Sequence, residues 1–395
     1  MVSYVGYVNH PMRPHRPETT INQVVTLLPA HLSRVVLHRW TSVDPREIGS
    51  AEYHDPFGGT TRTWEYTRWT SEERAIGFPA TELVPSWAAS TPPGTWLEVG
   101  LQARTTSGAL TKWYVMGRWA EDDTDVHRTS LPGQGDSDGD VAVDTYVATG
   151  AVTAYRLRFT LYGSGAKVHR AGVMASAVPS RATVPVSPSG ENGGVELDVP
   201  RRSQRVHAGH FPQWDGGGDS WCSPASMTMV LDYWKRGPRP ADLSWVTPGD
   251  PCPAVDHAAR DMYDHSYQGT GNWPFGVAYA GRYGMEGFVT RLRSLTELER
   301  LVHAGIPVLT SQSFREHELP GSGYSTGGHI MVVVGFTASG DVIANDPAAP
   351  DDRSVRRVYP RAAFENVWLR GSGSGGIVHV VHPPGISLPP SDGNW

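Results

Sequence analysis

The sequence predicts two domains, an all-β sandwich of jelly-roll type followed by an α+β domain. Three observations carry this. Hydrophobic residues alternate with a period of two between 35 and 177, whereas helical spacing and then strands occupy 205–383. A Pro/Ser/Gly-rich stretch without periodicity, 178–204, separates them. The length of 395 residues also exceeds what one core ordinarily spans.

The elements follow in chain order. Residues 1–34 carry scattered prolines and histidines and read as a leader with one short helix over 21–32. Beyond it, Leu97, Val99, Leu101 and Ala103 alternate with Glu98, Gly100, Gln102 and Arg104. Tyr155, Leu157, Phe159 and Leu161 alternate in the same way with Arg156, Arg158, Thr160 and Tyr162, the pattern of half-buried strands. Turns such as Thr91-Pro92-Pro93-Gly94 punctuate these strands. The 178–204 stretch is expected to be an interdomain linker.

In 205–383, Met227, Val230, Leu231 and Trp234 define one helix face, and Val255, Ala258, Ala259 and Met262 define another. Ser294-Leu295-Thr296-Glu297 is a capping box for a helix that stops at Gly305. Strands are expected over 308–312, 329–336, 341–344 and 376–381, and residues 384–395 form a tail. No internal repeat is visible.

Composition narrows the function classes. Charged residues are 19% and the net charge is −6, so the chain has no electrostatic footprint for nucleic acid or an anionic membrane. No run of about 18 apolar residues predicts a membrane span. The first residues lack the apolar core of a secretory signal. The two cysteines, Cys222 and Cys252, cannot build a disulfide scaffold.

Cys222 stands directly before the Met227/Val230 helix, in Asp219-Ser220-Trp221-Cys222-Ser223-Pro224. Pro224 suits the first helical position and Ser223 the N-cap. The helix dipole then favours the Cys222 thiolate, and Gly216-Gly217-Gly218 lets backbone approach closely. A cysteine before a helix is more often buried and structural, so a catalytic reading requires a base.

His329 opens the apolar strand His329-Ile330-Met331-Val332-Val333-Val334, and Asp346 ends the next one. A two-residue turn at Ser339-Gly340 pairs Ala338 with Asp341 and sets Asp346 opposite Val333, on the His329 face. A one-residue slip would move it to the other face. Taken singly, His329 reads as a strand histidine, Asp346 as a turn residue before Pro347, and Gln213 as a surface residue. Together they make a nucleophile set. Cys222 attacks a carbonyl, His329 serves as base and acid, Asp346 orients the imidazole, and Gln213 joins the Cys222 N–H in an oxyanion hole.

The segments Gly209-His210-Phe211-Pro212-Gln213 and Trp221-Cys222-Ser223-Pro224-Ala225-Ser226 resemble the bacteriocin-processing, papain-like cysteine peptidases, more closely their actinobacterial peptidase-like relatives. Gly269-Thr270-Gly271-Asn272-Trp273-Pro274, Ser325-Thr326-Gly327-Gly328-His329 and Ala344-Asn345-Asp346-Pro347 extend the likeness over about 200–383, and the strand-rich half resembles the N-terminal region of the same relatives. The resemblance implies a papain-like fold and peptide-bond hydrolysis by Cys222, His329 and Asp346, with Gln213 in the oxyanion hole. It also implies export. Two departures stand out. The processing peptidases carry Asp-Cys-Gly at the nucleophile where this chain has Trp221-Cys222-Ser223, and they are fused to an exporter that is not seen here, so cleavage after a double glycine is not carried over.

Weaker signals are read conservatively. Asp136, Asp138 and Asp140 resemble the start of a calcium loop, but Val141 and Val147 stand where Gly and Glu are needed, so a solvated acidic loop is expected. His379 and His382 fall on opposite strand faces, and His257 and His265 lack a third ligand, so no metal site and no cofactor are expected. Trp40, Trp64, Trp69, Trp87, Trp96, Trp113 and Trp119 enrich the β half. Core packing accounts for most such tryptophans, and a carbohydrate or polymer ligand on the β domain is the second reading. Cys252 is either a free thiol or a disulfide partner of Cys222. Gly323, Gly327 and Gly328 are expected to form a flexible loop at the mouth.

The expected function is therefore a cysteine peptidase acting on a peptide or protein substrate. Transpeptidation or amidase chemistry through the same acyl-enzyme is the nearest variant. A non-catalytic protein working through the β-sandwich is the rival from another class.

Overall fold

The structure, a computed structural model, describes residues 34–190, 193–371 and 373–395. The expected helix over 21–32 lies outside them.

The first half is built of antiparallel strands: β1 (Arg34–Trp40), β2 (Glu47–His54), β3 (Thr61–Thr70), β4 (Arg74–Ser90) and β5 (Trp96–Thr105). They are followed by β6 (Tyr114–Trp119), β7 (Gly139–Ala142), β8 (Thr145–Tyr162) and β9 (Lys167–Ala177). The order is β1-β9-β4-β8-β3-β2, and β5, which also pairs β6, adds to β8. The long β8 thus serves as a common spine, with Thr160 opposite both Arg68 and Glu98. Alternation behaves as the sequence implies. Leu97, Val99, Leu101 and Ala103 are fully buried, while Glu98, Gln102 and Arg104 are partly exposed. Trp64, Trp87, Trp96 and Trp119 are buried, and Trp40, Trp69 and Trp113 are partly covered.

The second half contains β10 (Val195–Glu196), α1 (Cys222–Tyr233), α2 (Pro253–Met262), α3 (Trp273–Gly281), β11 (Glu286–Arg291) and α4 (Leu295–His303). It continues with β12 (Val308–Phe314), β13 (Thr326–Phe336), β14 (Val342–Asn345), β15 (Arg356–Tyr359), α5 (Arg361–Leu369) and β16 (Ile377–His382). Its seven-stranded sheet runs β11-β16-β12-β13-β14-β15, with β10 on β13. The Ser294 hydroxyl caps α4 by accepting from the Glu297 N–H at 3.2 Å. The Glu297 carboxylate accepts from Arg293 N–H at 2.7 Å rather than from the cap residue, so the box closes one residue early. Gly327 and Gly328, expected in a flexible loop, lie within β13 instead, at the register irregularity between its Thr326 and His329 pairs.

The two sheets share one apolar core. α3 lies between them, with Phe275 packed edge-on against Trp119 and Trp87 at ring separations of 5.4 and 6.2 Å. Gly281 permits this approach, because a Cβ there would stand 2.8 Å from the Ala88 Cβ. Buried polar links cross the same junction. Arg291 on β11 pairs with Glu82 on β4, and Trp273 N–H donates to Asp144 at 2.8 Å.

The Pro/Ser/Gly stretch is anchored rather than loose. Val184 N–H donates to Asn366, Ser187 N–H to Glu365, and Gly190 N–H to Glu299. Pro and Gly abolish periodicity without preventing such side-chain-to-backbone staples. The tail also folds back. Leu37 N–H donates to Gly393 O at 2.9 Å, and Asn394 and Trp395 are buried against β11 and α4.

Candidate active site

The short 3₁₀ turn Gly218–Ser220 runs straight into α1, which opens at Cys222 with Trp221 as its N-cap. The helix therefore starts earlier than Ser223-Pro224 suggests. Pro224 sits inside the first turn, where its missing N–H removes no helical bond. Cys222 consequently occupies the first helical position, with its own N–H among those that have no intrahelical acceptor. The dipole favours negative charge at its sulfur. The close approach of backbone predicted for the glycine run occurs at Gly218, where a Cβ would lie 2.5 Å from Gln204 O and 2.4 Å from His207 O.

α1 packs on β13, and the buried Cys222 thiol lies beside the His329 side chain, close enough to favour its imidazolium. The other ring edge meets Asp346, with His329 Nε2 2.9 Å from Asp346 Oδ1. Three of the four residues expected from sequence are therefore brought together in one buried run.

The hairpin achieves this by a different register from the expected one. Its loop is closed by Thr337 N–H to Asp341 O at 2.9 Å, and Phe336 pairs with Val342. An irregularity at Val334 then shifts the pairing, so that Val333 meets Ala344 and Val332 meets Asn345. Continued by one residue, this sets Asp346 opposite Met331 rather than Val333. The two single-residue shifts preserve facing, because strand faces alternate with a period of two.

Asp346 is fully buried and its oxygens are saturated. Oδ2 accepts from the Tyr359 hydroxyl at 2.6 Å and the Tyr324 hydroxyl at 2.9 Å, and Oδ1 from Ala348 N–H at 3.0 Å. Burial opposes its charge, but the imidazole beside it and these donors prevail and hold it down to about 2. Burial likewise disfavours the His329 imidazolium, and the Asp346 carboxylate outweighs it, raising His329 to about 10. Burial and the same carboxylate keep both tyrosine hydroxyls protonated, as donors. Neither tyrosine is flagged by sequence, because Tyr324, just before β13, and Tyr359, at the end of β15, reach Asp346 only in the folded chain.

Gln213 does not join the run. The turn 211–216 has Phe211 and Asp215 at φ 39° and 57°, and it turns Phe211 and Trp214 inward against Trp245 while Pro212 and Gln213 face solvent. The apolar rings claim the buried side of the turn. The buried glutamine of this region is Gln204. Its backbone N–H donates to Pro347 O at 2.9 Å, next to Asp346, and its Nε2 donates to Asp219 O at 2.5 Å, in the turn leading to Cys222. Nothing in local sequence distinguishes it.

Asp215, in the same turn, accepts from Thr270 N–H and Oγ1, yet burial pushes its carboxyl up to about 7. Cys252 is a buried free thiol at the α2 N-cap, and burial pushes it up to about 11. Cys222 is free as well. Asp136 is engaged by Tyr114, Lys112 and the N–H groups of Asp138 and Gly139, which organise its loop. Sequence spacing suggested no metal ligands, but the fold gathers His207, His210, Asp250 and Asp256, with one donor atom from each, all within 4.8 Å of one another.

Comparison with known proteins divides the chain at the same place as its sheets. Residues 29–176 match the family model described as the peptidase C39 N-terminal domain, in its actinobacterial form, and residues 196–375 match the Peptidase_C39 like family. Among solved structures, a C39-like chain from Bacillus anthracis is 20% identical, covers 48% of this chain and 98% of its own, and has a TM-score of 0.31. A structure of the infectious bursal disease virus Gx strain is 12% identical over 40% of this chain and 36% of its own, with a TM-score of 0.18. No curated protein matches the chain.

Proposed function

We propose that this chain, which belongs to the C39-like peptidase family and carries that family's N-terminal domain, hydrolyses peptide bonds with Cys222 as nucleophile on a papain-like α+β scaffold. The observation that carries the reading is the buried run from Cys222 to His329 to Asp346 at the start of α1.

In this reading the Cys222 thiolate attacks the scissile carbonyl carbon and the π electrons move onto oxygen. The oxyanion is received by the Cys222 N–H and the Gln204 side-chain amide, which takes the role expected of Gln213. His329, holding the proton from sulfur, delivers it to the leaving amine as the tetrahedral intermediate collapses to a thioester. Water then attacks the thioester with His329 as base, and the carboxylic acid and thiol are released. Asp346 holds the ring in place and supports its charge, and Tyr324 and Tyr359 hold Asp346. Residues 35–177 then act as an appended domain and 205–383 as the peptidase domain.

The test is mass spectrometry of the intact chain after brief reaction with a peptide library and acid quench. An acyl adduct on Cys222 with release of the amine fragment is expected, absent in Cys222→Ala. Peptide turnover retained in Cys222→Ala would refute the assignment.

A further inference from the structure

We propose that His207, His210, Asp250 and Asp256 form a structural site for one divalent transition ion of the Zn(II) type, beside the nucleophile turn and separate from the catalytic run. His207 ends the 3₁₀ turn Arg205–His207 and His210 follows three residues later, whereas Asp250 precedes α2 and Asp256 lies in its first turn. The four donors are close packed. His207 Nδ1 stands 2.9 Å from Asp256 Oδ2 and 3.7 Å from Asp250 Oδ1, and His210 Nδ1 stands 3.0 Å from Asp250 Oδ2 and 3.1 Å from Asp256 Oδ1. Ligands about 2.1 Å from a tetrahedral zinc are about 3.4 Å apart, a spacing that these separations bracket.

Hydrogen bonding alone does not account for the cluster. His207 and Asp256 are fully buried, and the Asp250 side chain is 1% exposed. Neither ring nitrogen of His207 has a hydrogen-bond partner, although Nδ1 is within 3 Å of a carboxylate oxygen, and Oδ2 of both aspartates also lacks a donor. Among the described residues, no lysine or arginine pairs with either aspartate. Two buried carboxylates without a guanidinium or ammonium are costly, and a dication held by two neutral imidazoles balances their charge. Two nitrogens with two oxygens suit zinc and its first-row neighbours better than magnesium or calcium, which prefer all-oxygen shells.

The surroundings fit a structural role. Asp250 Oδ1 also accepts from Cys252 N–H at 2.8 Å, which orients the carboxylate from outside the site. The His207 ring lies 6.1 Å from that of Trp221, the neighbour of Cys222, and its backbone N–H donates to Gln204 O at 3.1 Å. An ion here would tie the segment carrying Gln204 to α2 and steady the entry to α1. The His210 side chain, 31% exposed, provides the edge by which an ion enters.

The experiment uses the full chain, stripped with a chelator and then titrated with Co(II) and, separately, reloaded with Zn(II) and dialysed. Bound zinc of about one per chain is expected, as is visible Co(II) absorption of tetrahedral intensity without a thiolate charge-transfer band. Thermal unfolding of the stripped chain should shift upward on Zn(II) addition. His210→Gln and Asp256→Asn should each lose the cobalt spectrum, whereas His317→Gln, at an exposed histidine elsewhere, should keep it. A wild-type chain that retains less than about a tenth of an equivalent of zinc, with no tetrahedral cobalt spectrum, would overturn the proposal and leave a buried His–Asp network. Stoichiometric binding unchanged by both ligand substitutions would overturn it equally.

Discussion

His329 Nε2 and Asp346 Oδ1 lie 2.9 Å apart because a three-residue hairpin loop and one bulge cancel in facing while drawing the carboxylate two residues closer to the imidazole. A clean two-residue turn would keep both side chains on one face but leave Asp346 opposite Val333. The bulge at Val334 therefore converts a shared face into contact.

The placement of Cys222 at a helix start beside His329 predicts rapid alkylation of Cys222 by iodoacetamide. In His329→Ala the rate at neutral pH should fall by about a hundredfold. Cys252, pushed up to about 11 and buried, should stay unlabelled over the same range. Peptide mapping of the labelled chain distinguishes the two cysteines.

Asp346 should depend on its tyrosines. Tyr359→Phe removes the 2.6 Å donor to a buried carboxylate, which should cost about 1–3 kcal/mol in stability. It should also lower kcat by about tenfold with KM little changed. Asp346→Asn should lower kcat/KM by about 10³–10⁴-fold. Steady-state kinetics and urea denaturation of both variants check this, and unchanged kcat in Tyr359→Phe would show that the tyrosine is dispensable for orientation.

The two glutamines give opposite expectations. Gln204→Ala should reduce kcat by about 10²–10³-fold if its amide receives the oxyanion. Gln213→Ala, at an exposed turn position, should have wild-type kinetics. The reverse pattern would return the role to Gln213.

Stability should follow the linkage of the buried pair. His329 is raised above its ordinary value of 6.5, so its contribution is complete below about pH 6.5 and is lost as pH rises toward 10. Asp346 is lowered from 3.8 to about 2, so its contribution is complete above about pH 4 and is lost as pH falls toward 2. The stability gap between wild type and Asp346→Asn should therefore be widest between about pH 4 and 6.5 and narrower at pH 9. Urea unfolding at pH 5, 7 and 9 measures it.

The junction between the sheets predicts joint unfolding. Glu82→Ala removes the carboxylate paired with the buried Arg291 guanidinium and should cost about 3–5 kcal/mol. With Phe275, Trp87 and Trp119 in one core, calorimetry should show a single transition covering both halves. Two separate transitions would mean that the halves unfold independently.

Much of this architecture was legible locally. Alternation in β5 and β8 and helical spacing in α2 report which face is buried, and that depends only on neighbours along the chain. α3 left no such trace. Trp273, Phe275, Val277, Ala278 and Tyr279 are all buried because sheets cover the helix on two sides, so it has no polar face to generate a period.

The sequence by itself determined the cysteine at a helix start and the histidine and aspartate on one hairpin, since each follows from turn chemistry and periodicity within about twenty residues. Tertiary structure alone decided which glutamine is buried, which tyrosines hold Asp346, and that two histidines and two aspartates far apart in sequence converge. Those choices rest on long-range packing. Phe211 and Trp214 took the buried side of their turn and left Gln213 in solvent, while backbone contacts from Pro347 and Gly218 drew Gln204 inward. Competition of that kind is settled by whichever side chain gains more from leaving water, and no local pattern along the chain records its outcome.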